Sequence, residues 1–326
     1  MVRHKVIRGV LLLLIALSLS QAQELQKVRV GLGYLPDVQF APFYLGVVEG
    51  LYEKAGLEVE FQHGFVTELY PLLAQGDLDF VVGDAEDTMS FPSNPPFKYL
   101  LAMYQKTPSA LFSVVDKNIT TIEDLKGMKI GMPGLFGSSY TSLQAVLQAA
   151  GLSEQDVTIE QIGFTQVEAV LSDRVDVAMG YINNEPIILK NQGTAISVID
   201  AGSYNPAPGN GVMTTEKMLE NTELVRSFLK ATQEALAMTI EDPQKAFDAS
   251  KQYVENLGED RMEVLMTSIA LYTSEYTKTN GIGFTDPEGW EKTLELLTST
   301  GRVTTDLPAN AFYSNEFLTP GIGAEQ

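Results

Sequence analysis

Hydrophobic and polar residues alternate in short runs along most of this chain, and stretches of helical spacing separate the runs. Val28 to Gly33 (VRVGLG) predicts a strand. Ala41 to Ala55 predicts a helix with Phe43, Leu45, Val47 and Leu51 as apolar positions, stopped by Gly56. Leu57 to Phe61 reads as a second strand, Thr67 to Gln75 as a helix closed by Gly76, and Leu78 to Gly83 as a third strand. Strand and helix in alternation, with short links, predict a parallel sheet with right-handed crossovers.

Asn94-Pro95-Pro96 marks a loop, after which Tyr99 to Tyr104 and Leu111 to Val115 read as strands flanking Gln105-Lys106-Thr107-Pro108. The pattern then begins again. Lys129 to Met132 is a strand, Gly134 to Gly137 a glycine-rich turn, and Ser138 to Ala150 a helix. A strand at Val157 to Ile162, a helix at Gln166 to Leu171 and strands at Val175 to Gly180 and Ala195 to Ile199 complete this second unit. Ala201 to Gly211, with Pro206 and Pro208, reads as a return crossing. The remainder predicts helices from Thr215 or Glu216 to Ile240, Pro243 to Asn256, Asp260 to Thr273 and Pro287 to Thr300.

The fold class expected is therefore α/β. It has two lobes, each a β-sheet flanked by helices, with a helical C-terminal region: residues 24–104 with 206–326 form one lobe, 105–205 the other, and a ligand cleft lies between. Ahead of them, Arg3, Lys5 and Arg8 precede an apolar run from Val10 to Leu17 that ends at Ser20-Gln21-Ala22, the order of a secretory signal peptide cleaved after Ala22. The run is shorter than the roughly 20 residues of a membrane-spanning helix, which argues against a permanent anchor. A leader, two similar lobes, two crossings and a helical tail make the architecture of a type 2 periplasmic binding protein, soluble in the periplasm or cell-envelope space.

Charge narrows the functions. The chain carries a formal charge of −20, and losing residues 1–22 would make it −23. Such a surface does not hold nucleic acid by its phosphates, nor an anionic membrane. The absence of cysteine excludes disulfides, thiolate chemistry, cysteine-held zinc and lipid attachment.

Candidate chemistry gathers where strands end, because loops at the carboxyl ends of α/β strands converge on a crevice. Tyr181, Asn183, Asn184 and Glu185 follow one strand, Tyr34, Asp37 and Gln39 another, and Asp84 and Glu86 a third. Bland readings stand beside these: Asn183 or Asn184 as a helix cap, Asp84 and Glu86 as caps of a turn, and Phe40, Phe43 and Tyr44 as core. Gly134-Leu135-Phe136-Gly137-Ser138-Ser139 opens a helix with free N–H groups, which suits a sulfonate, a phosphate or ligand hydroxyls, or else Ser138 is a plain N-cap.

The stretch Gly33-Tyr34-Leu35-Pro36-Asp37-Val38-Gln39-Phe40-Ala41-Pro42-Phe43-Tyr44 resembles the opening of substrate-binding proteins related to thiamine-pyrimidine synthases. Glu49-Gly50-Leu51-Tyr52, Gly56-Leu57-Glu58-Val59, Asp124-Leu125-Lys126-Gly127 and Gly163-Phe164 carry the same likeness, which covers residues 28–215. Members serve ABC importers for thiamine-precursor pyrimidines, riboflavin or, more distantly, alkanesulfonates. Pyrimidine-binding members carry an Asp-His pair before the Ala-Pro and tryptophans near the loop at 181–185. Val38-Gln39-Phe40 and Tyr181-Ile182-Asn183-Asn184-Glu185 depart from both, so the likeness leans to the riboflavin-binding members.

The resemblance implies a monomer that binds riboflavin, uses no cofactor or metal, and delivers its ligand to an ABC permease and its ATPase. Tyr34, Phe136 and Tyr181 would then sandwich the flavin ring, and Asn183, Asn184 and Glu185 would meet its polar edge. Asp37, Gln39, Asp84 and Gln105, with Gly137, Ser138 and Ser139, would meet the ribityl hydroxyls. The family also includes eukaryotic enzymes with a cysteine-rich iron motif and a histidine. This chain has no cysteine and only His4 and His63, and Ser138 and Ser139 have no base in the local sequence, so no enzymatic activity is expected.

Overall fold

The structure is a computed structural model and describes residues 24–92, 94 and 96–324. The segment read as a signal peptide, and Pro95 of the loop at 94–96, lie outside the described residues. In chain order the first elements are β1 (Gln26–Leu32), α1 (Ala41–Val48), α2 (Leu51–Lys54), β2 (Leu57–His63), α3 (Val66–Gln75), β3 (Phe80–Asp84), α4 (Asp87–Ser90) and β4 (Lys98–Ala102). Then come β5 (Ser109–Val114), β6 (Lys129–Met132), α5 (Gly137–Ala149), β7 (Thr158–Gln161), α6 (Gln166–Leu171), β8 (Val177–Tyr181), α7 (Glu185–Asn191) and β9 (Ile196–Asp200). After β10 (Asn210–Thr214) the chain is helical: α8 (Glu216–Leu219), α9 (Thr222–Glu241), α10 (Pro243–Ser250), α11 (Arg261–Ile269), α12 (Glu275–Asn280) and α13 (Pro287–Ser299).

The strands form two five-stranded sheets, ordered β2-β1-β3-β10-β4 and β7-β6-β8-β5-β9. Neither is wholly parallel. In the first, β1 runs parallel to β2 and β3, while β10 lies antiparallel between β3 and β4. In the second, β6 runs parallel to β7 and β8, and β5 lies antiparallel between β8 and β9. Both antiparallel strands follow directly from a crossing between sheets. A strand that arrives by crossing has no helix to return it to the starting end, so it enters from the opposite direction.

Burial follows strand position. β3 (FVVGD), paired on both sides, is buried throughout, whereas the edge strand β2 (LEVEFQH) alternates and shows Glu58 and Glu60 to solvent. On one face of the first sheet Val28, Val30, Leu32, Phe80 and Val82 pack against Phe43 of α1 and Phe228 and Leu229 of α9. On the other, Leu69, Tyr70 and Leu73 of α3 cover Val81 and Met213, and Trp290 of α13 covers Tyr99 and Ala102. The second sheet is enclosed in the same way, by Leu143, Val146 and Leu147 of α5 and by α6 and α7.

The two crossings lie side by side. The Tyr104 N–H donates to the Asn210 carbonyl at 3.0 Å, and the Gly209 N–H to the Tyr104 carbonyl at 3.0 Å. A Cβ on Gly202 would meet the Thr107 carbonyl at 2.1 Å, so this glycine is what lets the crossings approach. The return crossing ends at Gly209, short of the Gly211 that its sequence predicts, because Asn210–Thr214 is a further strand of the first sheet. Two further differences lie in the tail. The helix predicted from 216 breaks where Asn221 caps α9, and α12 begins at a Ser274–Thr277 capping box.

Candidate functional site

The loops after β1, β3, β6, β7 and β8 converge on one cleft between the sheets. Its wall includes Tyr34, Gln39, Phe40, Asp84, Tyr104 and Asn210 from the first sheet and its crossings. Phe136, Ser139, Phe164, Gln166, Tyr181, Asn184 and Glu185 face them from the second. With the solvent at its mouth the cleft holds about 800 Å³ of empty space, within the range of small-molecule sites.

Eight of the thirteen residues singled out from the sequence line it: Tyr34, Gln39, Asp84, Phe136, Ser139, Tyr181, Asn184 and Glu185. The other five hold the frame behind it. Asp37 is paired with Arg261 of α11, whose Nε reaches Asp37 Oδ1 at 3.1 Å and whose Nη2 donates to Asn184 Oδ1 at 3.0 Å. Asn183 is fully buried and donates to Ser268 Oγ at 2.8 Å and Tyr104 Oη at 3.2 Å. Gln105 Oε1 accepts from Ser274 Oγ at 3.0 Å. Gly137 and Ser138 open α5 just beneath the wall.

That helix start differs from both sequence readings. Ser138 is neither an N-cap nor an open anion site, because its N–H donates at 2.8 Å to Oδ2 of Asp84, which belongs to the other sheet. Gly137 has φ of +61°, and a Cβ there would meet the same Asp84 oxygen at 2.3 Å, so only glycine admits the carboxylate. Asp84 Oδ1 also accepts from Tyr181 Oη at 3.0 Å and Asn210 Nδ2 at 2.6 Å. One carboxylate thus joins β3, β10, α5 and the end of β8.

The mouth is aromatic. Phe65 after β2 and Phe164 after β7 stack across the cleft with centroids 4.4 Å apart and planes 3° from parallel. Tyr34 meets Phe164 edge-on at 5.5 Å and Phe65 at 6.1 Å. The ring contacts of Tyr34 are with these phenylalanines, while Phe136 and Tyr181 line the same cleft. Neither phenylalanine stands out for the site in the sequence, although each lies in the short loop after a strand and Phe164 stands in the Gly163-Phe164 pair.

Carboxyls in and behind the cleft are drawn toward their neutral forms. Burial is the first cause for Asp84 and Glu185, with hydrogen bonds from the Ser138 and Tyr181 N–H groups opposing it. Behind Asp84, burial and then the Asp84 charge push Glu86 up to about 8 and Asp87 to about 7. Burial lifts the Tyr34 hydroxyl to about 12, so it stays a donor at any ordinary pH. Unpartnered polar atoms remain: Gln39 Nε2 and Asn210 Oδ1 are buried without a protein partner.

Residues 37–246 match the family model described as NMT1/THI5 like. The chain belongs to the NMT1/THI5-like family. This NMT1/THI5-like protein is 34% identical to the riboflavin-binding protein RibY of Chloroflexus aurantiacus, over 91% of its own length and 87% of that protein's. It is 23% identical to the formylaminopyrimidine-binding protein of Halalkalibacterium halodurans, over 85% and 86% of the two chains. Its fold matches that of a Candida albicans protein with the generic periplasmic-binding-protein fold, at a TM-score of 0.67, 17% identity, and 89% and 97% coverage. The NMT1/THI5-like protein therefore has the two-lobed periplasmic-binding-protein fold. No helix among the described residues is long and apolar enough to cross a membrane.

Proposed function

We propose that this protein is an exported solute-binding protein that captures riboflavin in the cleft and presents it to an ABC permease and its ATPase. The lobes would be residues 24–104 with 206–326, and residues 105–205, closing about the paired crossings as hinged binding proteins do. The observation that carries the reading is the make-up of the cleft: an aromatic mouth over a wall with unpaired polar atoms at Gln39 and Asn210. A flat heterocycle with a polar edge satisfies both. Its ring gains about 0.5–1.5 kcal/mol per aromatic pair beyond area burial, and its edge supplies the missing partners. The likeness to RibY supports the same ligand.

Two alternatives differ on specific atoms. An alkanesulfonate would need the N-terminus of α5, but Asp84 occupies that N–H and would repel the anion. Catalysis by a histidine would need an imidazole free to exchange protons. His63 instead donates from Nδ1 to the Tyr34 carbonyl at 3.0 Å and accepts at Nε2 from Tyr44 Oη at 2.9 Å, a structural role. A thiamine-precursor pyrimidine is the remaining competitor, being smaller but also flat and rich in donors.

Titration of refolded, ligand-free protein with riboflavin tests the proposal. Saturable one-to-one quenching of flavin emission supports it. Absence of quenching, together with thermal stabilisation by formylaminopyrimidine, would transfer the site to the smaller heterocycle.

A further inference from the structure

Asn210 lines the cleft from the first residue of β10, a position that the sequence reads as loop. Its amide is held by a carboxylate, and that fixes which way it points. Asp84 receives three donors: the Ser138 N–H on Oδ2, and Tyr181 Oη and Asn210 Nδ2 on Oδ1. A carboxylate so surrounded must be met by the NH₂ of Asn210 and not by its carbonyl. Asn210 Oδ1 is then left buried with no partner.

We infer that Asp84 and Asn210 form a reading pair, in which Asp84 orients Asn210 Oδ1 as a fixed acceptor that selects ligands with an N–H or O–H group at that edge. The inference deepens the heterocycle-binding reading and rests on it for the nature of the ligand. It also links selection to closure. Asp84 and Asn210 both belong to the first sheet, but Ser138 and Tyr181 reach Asp84 from the second, so the full set of donors around the pair is complete only when the sheets are together. A ligand offering only acceptors at this edge, such as a sulfonate, would face Asn210 Oδ1 acceptor to acceptor and be rejected.

An exchange of the two groups tests this. In D84N the new amide can still accept from the Ser138 N–H, but its NH₂ faces Asn210. The Asn210 amide must then flip and show its NH₂ to the cleft. N210D sets two carboxylates against each other. The double variant D84N/N210D places the donor on residue 84 and the acceptor on residue 210, and again leaves an acceptor facing the ligand.

With riboflavin as the probe, each single variant is expected to raise Kd by at least about tenfold and the exchanged pair to recover to within about threefold of wild type. N210D binding like wild type, or an exchanged pair as weak as the weaker single variant, would overturn the inference. The same cycle is read without ligand by thermal midpoint. N210D is expected to fall and the exchanged pair to recover, and no recovery overturns the pairing. If wild type ignores riboflavin, the function reading fails while the thermal cycle still decides the pairing.

Discussion

Glu86 offers a test of the electrostatics behind the cleft. Its side chain is fully buried just past β3; Oε1 accepts from Asn205 Nδ2 at 2.7 Å, and Oε2 has no partner. Around it stand Asp84 and Asp87 on the same segment, Tyr99 on β4, and Ser142 of α5, which shares the Asn205 amide. The Arg302 charge opposes the rise at Asp87. Burial and then the Asp84 charge raise the Glu86 carboxyl from 4.5 to about 8. Between these values the folded protein holds a proton that the unfolded chain has lost. The contribution to stability is thus complete below about 4.5 and disappears as pH rises through about 8.

At roughly 1.4 kcal/mol per pKa unit the full span would be about 5 kcal/mol, but three neighbouring carboxyls share the titration. About 2–3 kcal/mol is therefore assigned to Glu86. His63 works in the opposite sense. Burial lowers its pKa, so its contribution grows as pH rises toward 6.5, and the range above 6.5 isolates the carboxyls. Only the part of the span between 6.5 and about 8 falls in this range, so urea denaturation at pH 6.5 and 8.5 is expected to show wild type losing about 1 kcal/mol through Glu86. Glu86→Gln keeps the acceptor for Asn205, removes that titration and should lose about 1 kcal/mol less than wild type over the same range. Equal losses in both proteins, or wild type gaining stability with pH, would refute the reasoning.

Two further outcomes follow from the geometry. Phe164→Ala removes the ring that stacks on Phe65 and meets Tyr34, and should weaken riboflavin binding about tenfold or more, as measured by flavin fluorescence; unchanged affinity would take the aromatic mouth out of the site. Arg261→Met leaves Asp37 buried without its cation and Asn184 without its donor, and is expected to cost about 3 kcal/mol in urea denaturation, with a loss of affinity as the 181–185 loop loosens.

The alternation of the parallel strands and the spacing of their helices were legible in the sequence because each satisfies its own burial locally. β10 was not. It is a five-residue strand beginning Asn-Gly after a proline-rich link, and it is buried only because β3 and β4 flank it. The site divides along the same line. Residues that follow strands directly, such as Tyr34, Tyr181 and Glu185, could be picked out from position alone. The partners of Asp37 and Asn183 could not: Arg261 lies 224 positions from Asp37, and Ser268 lies 85 from Asn183. No local pattern indicates such pairs. The two interpretations of the α5 N-terminus failed for a related reason, since its cap comes from another sheet.

The place of β10 inside the first sheet bears on how the chain folds. Strands β3 and β4 are joined through β10, and Asn210 lies 126 positions from its partner Asp84. A nascent chain that has emerged only as far as residue 205 has every other strand of that sheet but a gap between β3 and β4, each with an open edge there. The second sheet, by contrast, comes from one unbroken segment. Long-range closure is the slow step in folding, and open edges invite pairing with other chains. The inserted half is therefore positioned to fold first and to bring β10 back to the gap, and a chain cut short at the return crossing would carry its two unpaired edges into aggregation.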